Sequence, residues 1–468
     1  MQTELSQKDE KYRVFALEAP MWRVILYVGV PLALYESLNQ LFKILDTMMA
    51  SHISANAVST VAYLSQINLM LSAIGGGLAV GAGMKISEAY GAGKLELVKR
   101  RVSTVFALCA VLGGVLLLAL VPFARGFLKL MNTPDEILGE GTVYFRLELF
   151  GLVLSFFNSI YIAMERARGN SRRILHLNTA VIVVKLSLTA LFVYGMGGGV
   201  SMIAVATLAS QAVLFAAALV HMNQRESAFG FSLKAVSMRG EVLSPMLHLS
   251  FPVIVEKAAF SMGKVIVNSM STVYGTWTVG ALGISNNIDG ITTSPQNGFQ
   301  SGGAAVISQN LGAKKPERAL AAFRWTLLMN VLVGFVLVSL TLLFLDPIVS
   351  LFAEGNEAFA GMIKEIYLLE ALGAVPLGVN AAVMALLYGF GKTKITLAMN
   401  FCRIFLFRIP VLWGLQRFTD LGNVSAGIVM AVSNILSGVL AAVVAVVVVR
   451  EIRRSYGISI SGFSGQER

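Results

Sequence analysis

Charge is what this chain has least of. Only 13% of its 468 residues are Asp, Glu, Lys or Arg, about half the share found in soluble proteins. With 56% hydrophobic residues, a water-soluble globule would expose large apolar patches and aggregate. Soluble enzymes and nucleic-acid binders are therefore excluded. The formal net charge of +11 does not reverse this, because Lys and Arg collect in the cytoplasmic loops of membrane proteins. Cysteine is almost absent. Cys109 and Cys402 both lie in apolar runs, which argues against a disulfide framework. Histidine is scarce too. His52, His176, His221 and His248 never share one helix face, so no metal centre is expected. Low-complexity tracts are missing. The polar start, MQTELSQKDEKYR, does not read as a cleaved leader, and the polar tail GISISGFSGQER does not read as folded.

Long apolar runs take up the rest. A membrane span needs about 20 mostly apolar residues. Twelve such helices are expected near 24–50, 56–84, 102–123, 142–164, 174–194, 200–221, 245–271, 277–308, 319–345, 361–388, 395–415 and 422–449. These runs have helix length rather than the short alternation of barrel strands. With the N-terminus inside, 26 of the 37 Lys and Arg fall in cytoplasmic segments. The outer loops and helix ends hold Arg125, Lys129, Arg146, Lys364 and Arg417, and the other six lie within the spans. That bias places both termini in the cytoplasm and requires an even number of spans.

The chain also repeats itself. Residues 29–94 align without gaps onto 250–315 at a shift of 221, with 12 of 66 positions identical, Pro31, Lys43, Gly77 and Gly81 among them. At a shift of 222, Glu148 meets Glu370, Gly151 meets Gly373, Asn158 meets Asn380 and Asn178 meets Asn400. Two copies of a six-helix unit enter the membrane from the same side, so the repeat is parallel, related by an axis along the membrane normal. The expected fold class is an all-α polytopic membrane protein, its twelve transmembrane helices forming two pseudo-symmetric six-helix bundles. The division is a cytoplasmic segment (1–22), a first lobe (23–222), a cytoplasmic linker (223–244), a second lobe (245–450) and a cytoplasmic tail (451–468). Two such bundles would enclose a cleft that opens alternately to either side.

Several segments resemble a known family. KILDTMMAS in the first span, SEAYGAGKLELVKR after the second and SQNLGAKKPERA after the eighth are similar to those of the multidrug and toxic compound extrusion (MATE) family. RARGNSRR, YGFGKTK, FVYGMGGGVSMIAVATLASQ and RIFLFRIP fit its later turns and spans, and the likeness covers about residues 23–450. The resemblance implies a secondary active antiporter, located in the plasma membrane, that exports small organic compounds in exchange for H⁺ or Na⁺. It also implies that Asp46 is the coupling carboxylate and that Thr207 belongs to the same ion site. The family's span-five Asn and Asp are replaced here by Lys185 and Thr189.

The residues themselves point to a polar interior. A charge inside a membrane costs about 3 kcal/mol or more, so each asks for a partner or a watered cavity. Glu36, Gln40, Lys43 and Thr47 form one stripe on the first span, with Asp46 beside it. Lys257, Ser261, Lys264 and Asn268 form another on the seventh. Polar glue between packed helices is the plain alternative. Asp46 can hold a proton or a sodium ion, and either Lys43 or Lys185 is placed to pair with it. The second lobe adds Glu256, Asp289, Glu370, Arg403 and Arg408. The two arginines suit a carboxylate or phosphate on the cargo, or else a structural pairing with Glu370 or backbone carbonyls. The candidate ion-coupling residues are thus Asp46, Lys185, Thr207 and Lys43. The candidate substrate-binding residues are Glu36, Gln40, Glu256, Lys257, Lys264, Asp289, Arg403 and Arg408. Six basic and six acidic groups lie within the spans, so a zwitterionic or anionic cargo suits the balance better than a purely cationic one.

Two tempting motifs are read as helix packing and a turn. GGGLAVGAG lies inside a span, where glycines serve close helix packing. YGFGKTK lacks the first glycine of a phosphate loop, since residue 386 is Leu. No cofactor is expected beyond the coupling ion. The expected partners are the organic substrate and membrane lipids, not nucleic acid, and the expected state is a monomer. A flippase for lipid-linked saccharides is the main rival, but it calls for a strongly basic cavity. A membrane enzyme needs convergent catalytic groups that the scattered histidines do not supply.

Overall fold

In the computed structural model the described residues are 5–51, 55–131, 133, 135–223, 227–353 and 355–458. The side chains at 44, 46–48, 50, 51, 55–59, 62 and 135–137 lie outside the description. The helices run, in order, α1 (Gln7–Glu18), α2 (Met21–Ser51), α3 (Ala55–Gly91), α4 (Leu95–Leu120), α5 (Ala124–Leu130), α6 (Asp135–Ala167), α7 (Ser171–Ala190) and α8 (Val200–Met222). The second half holds α9 (Gly240–Ser271), α10 (Thr276–Gly312), α11 (Pro316–Leu343), α12 (Leu345–Ala353), α13 (Glu357–Glu370), α14 (Ala374–Gly389), α15 (Thr393–Phe401), α16 (Ile409–Phe418) and α17 (Val424–Tyr456).

The twelve expected spans all appear as helix. The tenth is α13 joined to α14 by the 3₁₀ turn Ala371–Gly373, and the eleventh is α15 joined to α16 by the π-helical turn Cys402–Leu406. Ten spans are long and apolar enough to cross a membrane by composition alone. The two outside that set are α9 and α10. They carry Glu256, Lys257 and Lys264, and Asn286, Asn287, Asp289, Gln296 and Asn310, respectively.

The chain packs as two compact units. The first contains Met1–Arg13 and Leu41–Ser261, the second Val14–Gln40 and Met262–Arg468. Neither is a plain half of the sequence. The first stretch of α2 belongs to the second unit, and the first stretch of α9 to the first unit.

Glycine explains both placements. In the first unit a Cβ on Gly77 would lie 2.7 Å from the Ile254 backbone nitrogen, and one on Gly81 would lie 2.5 Å from that of Ser250. In the second unit a Cβ on Gly298 would lie 2.4 Å from the Ala33 nitrogen, and one on Gly302 would lie 3.5 Å from the Gly29 Cα. Each of these positions maps onto its counterpart by the shift of 221. The repeat therefore preserves one helix crossing twice, and at Gly77, Gly81 and Gly298 backbone meets backbone where only hydrogen fits.

At the start of the chain, α1 divides the same way. In the first unit the Tyr12 ring fills the space over Gly169, whose φ of +75° also excludes most side chains. Arg13 Nε donates to the Tyr90 carbonyl at 3.1 Å. In the second unit Arg318 Nη2 donates to the Ala19 carbonyl at 2.8 Å and Lys315 Nζ to the Leu17 carbonyl at 3.1 Å, which ties down the last turn of α1.

Candidate functional site

A group of buried charges that includes four residues expected from the sequence lies in the second unit. Its arginines come from a deliberate break in the eleventh span. Pro410 stands in the first turn of α16, lacks an amide proton and crowds the carbonyl four residues back, so α15 cannot simply continue. The chain widens instead into the π turn Cys402–Leu406, where Phe407 N donates to the Cys402 carbonyl at 2.9 Å. With bonds running five residues back, side chains five apart come to one side. Arg403 and Arg408 are five apart, and both reach α17. Arg403 Nη2 donates to Asn434 Oδ1 at 2.9 Å. Arg408 Nη2 donates to the same oxygen at 3.1 Å, and its Nε donates to Ser433 Oγ at 3.1 Å. Gly373 makes the room, since a Cβ there would lie 2.5 Å from that of Asn434.

Two acids lie within the electrostatic reach of this pair. Asp289 of α10 lies within the electrostatic reach of Arg403, Lys264 and Arg408. Glu370, at the end of α13, lies within that of Asp289, Arg408 and Lys264, and Ser285 Oγ donates to its Oε2. Glu370 is fully buried, and Asp289, Arg408 and Asn434 are 9%, 3% and 1% exposed. Buried charges of opposite sign are what keeps such a group tolerable in lipid.

The first unit carries the same frame without the arginines. Asn68 Nδ2 donates to Glu148 Oε2 at 2.6 Å. By the repeat shifts, Asn68 corresponds to Asp289 and Glu148 to Glu370. Arg403 and Arg408 correspond to Val181 and Leu186. A neutral amide beside one carboxylate in the first unit has become a carboxylate beside guanidinium groups in the second. Likewise Ser210–Gln211 recurs as Ser433–Asn434 at a shift of 223. Gln211 Oε1 accepts from Asn158 Nδ2 at 2.7 Å, as Asn434 accepts from the arginines.

Of the residues expected from the sequence, the second unit brings together Lys264, Asp289, Arg403 and Arg408. The arginines' hydrogen bonds run to Asn434 and Ser433, with Glu370 as an electrostatic neighbour. Gln40, also in this unit, donates to the Asn287 carbonyl at 3.0 Å, and Glu36 lies half-buried one turn earlier on α2. In the first unit the Lys185 ammonium sits 4.6 Å over the Phe42 ring. The hydroxyl of Thr207 donates to the Ile203 carbonyl of its own helix at 3.0 Å. Glu256 is buried at 5% exposure, whereas Lys43 and Lys257 are exposed. The Asp46 side chain lies outside the described residues. Sequence reading passed over Asn434, Ser433 and Ser285. The recurrence of Ser-Gln as Ser-Asn was the available signal.

Comparison with known proteins agrees with this architecture. The family model described as MatE matches twice, over residues 31–191 and 252–413, one match in each copy of the repeat. The chain is 24% identical over 410 residues to the Bacillus subtilis protein named "Probable multidrug resistance protein YoeA", covering 86% of this chain and 88% of that one. It is 22% identical over 438 residues to a Shewanella oneidensis protein named "FAD transporter", covering 90% and 94%. A solved outward-facing MATE family transporter of the MOP superfamily superposes with a TM-score of 0.89 at 18% identity, covering 96% of this chain and 99% of that one. Two matches to one family model, falling on the two copies of a twelve-helix membrane fold, place this chain in the MatE family of multidrug and toxic compound transporters, and it is not an enzyme.

Proposed function

We propose that the protein is a secondary active antiporter of the plasma membrane that exports small organic compounds in exchange for H⁺ or Na⁺ by alternating access, with both termini in the cytoplasm. The observation that carries this reading is the buried acid–base cluster of Asp289, Glu370, Arg403 and Arg408 in the second unit. Charges held inside a membrane bundle mark substrate or ion pathways. Asp46, Lys43, Lys185 and Thr207 are the proposed ion-coupling residues. Glu36, Gln40, Glu256, Lys257, Lys264, Asp289, Arg403 and Arg408 are the proposed substrate contacts. The even charge balance within the spans favours a zwitterionic or anionic cargo, and a relative is named for carrying one such compound, FAD.

The test is reconstitution in liposomes under separate H⁺ and Na⁺ gradients. One gradient should drive efflux of organic dyes, and Asp46→Asn should reduce that efflux by about ten-fold or more, because the amide takes up no proton and lacks the negative charge that attracts a cation. Efflux indifferent to both gradients would refute the antiport reading. Lys185→Ala makes a narrower point. Its cation–π contact with Phe42 is worth about 1 kcal/mol, so the protein should fold while its transport–pH profile shifts. An unchanged profile would remove Lys185 from the coupling site.

A further inference from the structure

Two guanidinium groups converging on one neutral oxygen form an unusual arrangement. Arg403 and Arg408 repel each other, yet both point to Asn434 Oδ1. The other end of that amide, Nδ2, is buried and meets no acceptor among the described residues. Two guanidinium groups and an amide Nδ2 without an acceptor thus stand close together among buried residues, and guanidinium donors bond most strongly to an acceptor with full negative charge. The first unit shows that the frame does not need this arrangement in order to fold. It holds the equivalent carboxylate, Glu148, with a plain amide, Asn68, and puts Val181 and Leu186 where the arginines would stand. The guanidinium pair is thus confined to one copy.

We propose that the Arg403–Arg408 pair, held in place by Asn434, binds an anionic oxygen group of the cargo, a carboxylate or a phosphate ester. The inference rests on the transporter reading above and names the chemistry that one site selects. Arg403 and Arg408 supply the charged donors. Asn434 is a positioning residue, whose oxygen accepts from both guanidinium groups and so fixes their spacing. Ser433 fixes the orientation of Arg408 through its Nε. Asp289 and Glu370 occupy the electrostatic neighbourhood of the pair and compete with the incoming anion. A cationic cargo meets these carboxylates within the arginines' electrostatic reach and gains little from them.

The test measures binding by the purified full-length protein in detergent, with no gradient. The probes share one ring: phenyl phosphate, benzoate, benzylamine and benzyl alcohol. Phenyl phosphate or benzoate should bind about ten-fold or more tightly than benzyl alcohol, as hydrogen bonds to charged groups allow, and benzylamine should not. The two anions separate a phosphate site from a carboxylate site. Asn434→Asp is the decisive variant. It keeps the acceptor oxygen, so a merely structural Asn434 predicts wild-type binding, whereas the proposal predicts that the new carboxylate takes the place of the ligand and abolishes anion preference. The triple variant Asp289→Asn, Arg403→Val, Arg408→Leu copies the first unit. It should fold and bind all four probes equally. Equal affinities in the wild type, or anion preference surviving in both variants, would overturn the proposal. Anion preference without gradient-driven transport would instead sink the antiport reading and leave the site standing.

Discussion

Replacing Gly298 by valine should leave almost no folded protein. The first added carbon would stand 2.4 Å from the Ala33 nitrogen, 2.5 Å from its Cα and 2.6 Å from the Leu32 carbonyl carbon. These are backbone atoms of α2, and no rotamer change moves them. Overpacking a tight core costs about 1–3 kcal/mol when side chains can shift, and here a whole helix must retreat, so the loss lies at or beyond that upper value. Gly77→Val should fail in the same way, because its Cβ would meet the Ile254 backbone at 2.7 Å. The controls are Gly114→Ala, which would meet nothing within 4 Å, and Gly76→Ala, which would meet only the Lys257 side chain at 3.5 Å. Both should give wild-type yields. Size-exclusion profiles and melting temperatures in detergent decide the matter. A monodisperse Gly298→Val protein of normal Tm would show that α2 does not approach α10 at that point.

Removing one arginine should harm the protein more than removing the whole charge set. Arg408→Leu leaves Glu370 and Asp289 buried with one fewer cation, and breaking a buried ion network on one side costs about 3–5 kcal/mol. The triple variant Asp289→Asn, Arg403→Val, Arg408→Leu removes an acid along with both bases. It gives Glu370 an amide neighbour of the kind Glu148 already has in Asn68. Its Tm should exceed that of Arg408→Leu despite two further substitutions. Simple additivity predicts the opposite order, so the comparison has a clear sign. A triple variant less stable than the single one would mean that the two units are not built on a common frame.

The helices and the repeat were legible because both are written in periodicity and spacing. Long apolar runs bounded by Lys and Arg define spans, and Gly77 with Gly298, or Gly81 with Gly302, keep their register across the duplication. The grouping of the chain into units was not legible. It depends on which faces of α2 and α9 approach which glycines, and hydropathy does not encode partners. The charged site was half legible. Asp289, Arg403 and Arg408 stand out because charge in a span is rare. Asn434 and Ser433 do not, since neutral polar residues are common in spans. Their role appears only when the π turn brings two arginines to one amide. The π turn itself was hidden, because a proline inside a span predicts a kink without specifying its kind.

The weak apolarity of α9 and α10 bears on how the chain is made. A central Asp, Lys or Arg carries an insertion penalty of about 2.5–3.5 kcal/mol on the biological scale, so neither segment partitions readily into lipid by itself. Neighbouring helices already in the bilayer would lower that cost by offering them a packed surface. The crossings of Gly77 with Ile254 and of Gly298 with Ala33 offer that company early, since in each case one of the two partner segments has already emerged from the ribosome. On this reading the duplicated glycine crossing would also serve biogenesis, the earlier helices giving the polar ones a surface to pack on as they enter the bilayer.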